Sequence, residues 1–182
     1  MRKVDYDPDH LNDFDREWGL HKGCNEWWYC TGAFTSETGL DYSYQFTLIE
    51  VGSIPWLSPN VIMLALTDMQ TGEHHYLQNL RMFGSGMTLT PECLQFDARA
   101  RLIKGMDGIA LSLHHQAFSL DLHLDYGKGA KWHCDRGKLF MGSDADPRNS
   151  TFYFSYPNMP TTGWLRLGDQ KMAVHGKTWF DK

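Results

Sequence analysis

From Phe118 to Asp125 the chain alternates without a break. Phe118, Leu120, Leu122 and Leu124 are apolar, and Ser119, Asp121, His123 and Asp125 fall between them. A repeat of two is the period of a β-strand with one dry and one wet face, and an α-helix cannot bury such a pattern. Tyr42, Tyr44, Phe46 and Leu48 repeat it around Ser43, Gln45 and Thr47, and Phe152, Phe154 and Tyr156 share a face opposite Tyr153 and Ser155. Turn signals at Thr38-Gly39, Thr71-Gly72, Gly84-Ser85-Gly86, Asp107-Gly108, Gly127-Lys128-Gly129 and Gly168-Asp169 separate the apolar runs. Short strands between regular turns predict an all-β fold, either a β-sandwich or an up-and-down barrel.

The strands begin near Asn25. Residues 1–24 are polar, acidic and poorly periodic, and read as an irregular N-terminal arm. Asp9 to Trp18 has room for one or two helical turns, with Asp9 as a cap. Residues 25–182 then form one β-domain. Two prolines exclude a central strand from residues 52–60, leaving a loop that carries Trp56 to a barrel mouth. Residues 127–150 read as a second long, irregular connection.

At Glu26-Trp27-Trp28-Tyr29 two indoles and a phenol follow a carboxylate. In a strand Trp27 and Tyr29 share one face, and Glu26 and Trp28 the other. A sheet with tryptophan on both faces is covered on both, or closed around a filled interior. A carboxylate sharing its face with an indole is how a burial-shifted acid is built. Seven tryptophans and 14% aromatic residues suit an apolar cavity or a β core equally well.

Several function classes fall away. A net charge of -5, with no Lys/Arg cluster longer than two, offers no basic face for nucleic acid. No apolar run approaches the roughly 20 residues of a membrane-spanning helix, and the start lacks a signal-peptide core. The four cysteines, Cys24, Cys30, Cys93 and Cys134, lie without CxxC spacing. The chain therefore reads as soluble and cytoplasmic, with its thiols reduced. Nine histidines form neither HExxH nor HxH, so no metal is expected; a cross-strand pair of His114 and His123 is the nearest approach. No GxSxG or phosphate-cradling glycine loop is present, and no cofactor is expected. His133-Cys134-Asp135 in direct sequence does not surround one reaction centre. What remains is acid–base chemistry from carboxylates and phenols among aromatics: Glu26, Asp68, Asp181, Tyr153 and Tyr156. Asp68 also reads as a turn former before Gly72.

Glu26-Trp27-Trp28-Tyr29-Cys30-Thr31-Gly32-Ala33-Phe34 resembles the EWWYxTG signature of the carotenoid hydratase (hydroxyneurosporene synthase)/AttH-like family. Tyr44-Gln45-Phe46-Thr47-Leu48, Ala65-Leu66-Thr67-Asp68, Tyr153-Phe154-Ser155-Tyr156-Pro157, and Val174 to Asp181 resemble further family segments in the same order. The resemblance implies a lipocalin-like antiparallel β-barrel with an apolar pocket. It also implies an enzyme that hydrates, isomerises or cyclises (by Diels-Alder-like chemistry) a hydrophobic unsaturated molecule, a terpenoid or polyketide polyene, without a cofactor. The proton donor by that analogy is Asp181, then Glu26. Tyr153 and Tyr156 would stabilise developing charge, and Trp27, Trp28, Tyr29, Tyr44, Trp56 and Trp179 would hold the ligand. A non-catalytic carrier of the same ligand is the alternative. The family continues past the segment ending at Asp181 into a second barrel, so two copies of this chain could rebuild an interface pocket as a homodimer. At the second-last position, Asp181 is expected to fray.

Overall fold

The computed structural model describes residues 14–21, 25–52, 59–82, 86–134, 136–140 and 150–182. A helical turn, α1 (Phe14–Glu17), precedes the strands. The first strands are β1 (Asn25–Ser36), β2 (Asp41–Val51), β3 (Asn60–Asp68), β4 (His74–Arg81), β5 (Met87–Leu89), β6 (Cys93–Phe96) and β7 (Ala100–Lys104). Then come β8 (Gly108–His114), β9 (Phe118–Asp125), β10 (Lys131–Trp132), β11 (Lys138–Phe140), β12 (Ser150–Phe152), β13 (Phe154–Leu167) and β14 (Gln170–Asp181). The expected all-β fold is present as a curled antiparallel half-barrel. One sheet runs β4-β3-β2-β1-β14-β13-β9-β8-β7-β6-β5, with β10 also on β13, while β11 and β12 form a separate ribbon.

The alternation read from sequence sets the two faces. Trp28, Cys30, Phe34, Tyr42, Tyr44, Phe46, Leu48, Ile62 and Leu64 point inward and are buried, and the even-numbered residues from Phe118 to Leu124 join them. Curling brings the sheet's ends together. Arg81, closing β4, ion-pairs with Asp97 beyond β6 at 2.8 Å, and His75 lies 6.3 Å from the Phe118 ring. Asp68 closes the β3–β4 turn as a turn former, its Oδ1 accepting from the N–H groups of Gln70 and Thr71.

Three expectations need correction. The stretch 127–150 contains β10, β11 and the start of β12 rather than only irregular chain. The β8–β9 register places His123 opposite Ala110 and His114 opposite Ser119, so these histidines do not meet. The described part of the arm is packed into the fold. Phe14 stands edge-on to Trp18, Tyr126, Phe154 and Tyr156, and Trp18 stacks on Phe180 at 6.2 Å. A four-residue helix has no stability of its own. It persists because Trp18, fully buried, caps the core with an indole whose burial contributes roughly 3 kcal/mol. The expected Asp9 cap and Trp56 lie outside the described residues. Among the described residues no helix is long and apolar enough to cross a membrane.

Candidate active site

β14 lies between β1 and β13 at the middle of the sheet, paired with a neighbour on each side through Asp181. The expected fraying is absent: Lys182 exchanges both backbone hydrogen bonds with Phe154. Asp181 and Lys182, consecutive at this strand end, point to opposite faces, and each organises a different polar cluster.

Inside, Glu26 accepts from the Lys182 ammonium at Oε2, and its Oε1 lies 2.9 Å from both the backbone N and ring Nδ1 of His21. His21 Nε2 sits 3.3 Å from Glu17, and the Lys182 ammonium lies 4.6 Å from the Trp28 ring centroid. Glu26 and Lys182 are each about 5% exposed. Burial alone would raise the Glu26 carboxyl, but the charges and hydrogen bonds of Lys182 and His21 outweigh it and hold it at about 2. Burial alone would lower His21, but its bonds to Glu17 and Glu26 lift it to about 9. Glu26 is therefore an ionised brace that ties α1, β1 and the end of β14 together. A carboxyl held so low is a poor proton donor at neutral pH.

On the outer face, strand pairing puts Ser155, Asp181, Tyr29 and Thr47 in one row across β13, β14, β1 and β2. Asp181 Oδ1 accepts from the Ser155 hydroxyl and from Trp179 Nε1–H at 2.6 Å. Among the described residues Oδ2 receives the Tyr153 hydroxyl alone, at 3.4 Å, long for such a bond. Oδ1 thus holds two donors and Oδ2 one long contact, and Asp181 lines a depression of about 380 Å³ together with Trp27, Tyr29, Thr47, Ile49 and Tyr153. Burial, then the Asp181 charge, pushes the Tyr153 phenol above its ordinary value, so its proton stays on at neutral pH. Behind Asp181, His133 Nε2 lies 2.6 Å from Ser155 Oγ, and its ring stacks on Tyr153 at 4.3 Å. The His133 segment is pinned by Gly137, whose N–H reaches His133 O and whose O accepts from Tyr153 N–H. Only glycine suits that position, because φ is +95° and a Cβ would come within 2.7 Å of Trp132.

Of the residues singled out in the sequence, Asp181, Tyr153, Trp27, Tyr29 and Trp179 converge here. Trp28, Tyr44, Tyr156 and Glu26 lie on the other side of the sheet. Tyr44 is buried with its hydroxyl 2.8 Å from Thr178, and Tyr156 packs among Phe14, Tyr126, Phe154 and Phe180. Among the described residues, Trp28, Tyr44 and Tyr156 belong to the buried apolar cluster on the inner face of the sheet. A larger depression of about 750 Å³ lies further along the same outer face, between Ala33, Ser43, Met69, Pro160 and Lys177. Sequence reasoning missed His133, Ser155, His21 and Lys182. Among the described residues no three of His, Cys, Asp and Glu gather closely enough to hold a metal.

The AttH-like family model matches residues 5–182. The chain belongs to the AttH-like family. A crystal structure of an AttH protein from Nitrosomonas europaea superposes with a TM-score of 0.82 at 21% identity, covering 100% of this chain and 57% of that one. Kievitone hydratase from Nectria haematococca superposes with a TM-score of 0.67 at 15% identity, covering 99% of this chain and 54% of that one. This AttH-like chain therefore spans little more than half the length of the solved structures it resembles. No protein of curated function matches it.

Proposed function

We propose that this AttH-like chain carries the acid–base centre of a hydratase-type enzyme acting on an apolar, unsaturated small molecule, with Asp181 as the group that exchanges the proton. The observation that carries this reading is the asymmetry of the Asp181 carboxyl. Oδ1 is held by Ser155 and Trp179, Oδ2 has one long contact to Tyr153, and the residue lines an aromatic-walled depression. In hydration, the carboxyl group gives its proton to one alkene carbon. Water then adds to the other carbon and returns a proton to the carboxylate, so the group ends as it began. Trp27, Tyr29 and Tyr153 line the depression, and an aromatic ring face turned to the intermediate cation stabilises it by ~0.5–2 kcal/mol. Isomerisation uses the same first step and returns a proton from carbon instead of adding water. Likeness to a protein that is by name a hydratase supports hydration. We further propose that the substrate is a terpenoid or polyketide polyene and that no cofactor takes part.

The test is incubation with a panel of prenylated phenols, isoflavonoids and linear polyenes in deuterated water. A hydratase or isomerase introduces deuterium at carbon, and Asp181→Asn abolishes this while leaving ligand quenching of tryptophan fluorescence intact. Product without deuterium at carbon would indicate cyclisation and remove the acid role of Asp181. Quenching with no product from any panel member would favour the carrier reading.

A further inference from the structure

We infer that His133, acting through Ser155, is the positioning residue that fixes the Asp181 carboxyl plane and couples its proton affinity to the charge on an imidazole. This deepens the acid–base reading above and rests on it. Ser155 is fully buried and its hydroxyl has a single proton, which is donated to Asp181 Oδ1. With that proton committed, Oγ can only accept from His133, so the 2.6 Å contact makes Nε2 of His133 the donor. The direction of the chain follows: Nε2–H to Oγ, then O–H to Oδ1. The buried serine is shielded from water, so solvent does not readily replace the imidazole behind it.

Two consequences follow for the carboxyl. Its rotation is fixed, because both donors to Oδ1 come from paired strands, Trp179 on β14 itself and Ser155 on β13. Second, an imidazolium two hydrogen bonds away favours the carboxylate, and a neutral imidazole favours it less. His133 is held in place for this role, being half-buried, stacked on Tyr153, and set in a segment pinned at Gly137. The titratable groups that face it are Tyr153 and, through Ser155, Asp181; Lys131, Cys134 and Arg136 are exposed neighbours in its own segment.

Two variants separate position from charge. His133→Gln keeps an N–H donor for Ser155 but cannot titrate; His133→Phe keeps the stack on Tyr153 and loses the donor. With a substrate from the panel, the phenylalanine variant is expected to lose about tenfold to a hundredfold in kcat, with KM within about twofold. The glutamine variant is expected to recover the plateau rate while losing the His133 limb of the pH profile. A glutamine profile identical to the parent, or a phenylalanine variant altered only in KM, overturns the proposal. A readout independent of turnover is the histidine titration followed by NMR. Asp181→Asn should move the His133 midpoint to lower pH by about half a unit or more, and Ser155→Ala should weaken the coupling. No movement in Asp181→Asn refutes the link to His133 whether or not a substrate is found. Coupling seen by NMR with full turnover in Asp181→Asn would instead sink the acid–base reading and leave the link standing.

Discussion

Two carboxylates end up about one strand apart and on opposite faces of the same sheet, and their partners make them different chemical objects. Glu26 faces inward and is matched by cations, Lys182 and His21, in a buried cluster. Asp181 faces outward and is matched by neutral donors, Ser155, Trp179 and Tyr153. A cation locks a carboxylate ionised and makes it part of the scaffold. Neutral donors fix the orientation of a carboxyl group without placing a counter-charge beside it. Proximity to an indole does not distinguish the two, since both have one.

The contrast breaks most visibly by exchanging losses. Asp181→Asn should reduce turnover by about a thousandfold while shifting thermal stability little, because asparagine still accepts from Ser155. Unchanged turnover in this variant would remove Asp181 from the chemistry. Glu26→Gln should do the reverse, costing about 3 kcal/mol in urea unfolding with activity per folded molecule preserved, because it strands a buried ammonium. A loss of activity without a loss of stability would return Glu26 to candidacy as an acid.

A smaller effect is expected in the pH dependence of stability. Glu26 is depressed from 4.5 to about 2, so its contribution is complete above pH 4.5 and lost as pH falls toward 2. His21 is raised from 6.5 to about 9, so its contribution is complete below pH 6.5 and lost as pH rises through 9. The brace formed by Glu26, Lys182 and His21 is therefore strongest between about pH 4.5 and 6.5, falling by on the order of 2–3 kcal/mol at either extreme. Denaturant midpoints across pH should lose the acid slope in a Glu26→Leu/Lys182→Met double variant and keep part of the alkaline slope, because Glu17 still holds His21. Smallest, Tyr153→Phe should slow turnover about tenfold at little change in stability, since the phenol touches Oδ2 only at 3.4 Å. An equal loss in Tyr156→Phe would contradict the assignment of the two tyrosines to opposite faces.

The strands were legible because alternation of period two records a dry and a wet face. Phe118 to Asp125 and Tyr42 to Leu48 fall where that pattern puts them. The split of Glu26 and Trp28 from Trp27 and Tyr29 was legible for the same reason, but which side is inward was not. That depends on curvature, a property of the whole sheet. The Ser155–Asp181 contact was hidden by register. Counting back from the Gly168-Asp169 turn would set Tyr156 opposite Asp181. A bulge at Pro157-Asn158, with Asn158 at φ +62°, shifts the ladder and puts Ser155 there instead. His133 was passed over because His133-Cys134-Asp135 looked like a failed triad, whereas its partner lies on another strand. Trp18 was invisible to periodicity, since a four-residue turn is too short to show any.

The strand end that carries Asp181 outward carries Lys182 inward, and this joins two kinds of selection on adjacent codons. A lineage exploring new substrates by altering the outer wall must keep the backbone of residues 181–182 where the inner ion pairs put it. Within this family, diversification should therefore concentrate on Trp27, Tyr29, Thr47 and Ile49, which shape the wall, and spare the strand end, where one change is read on both faces.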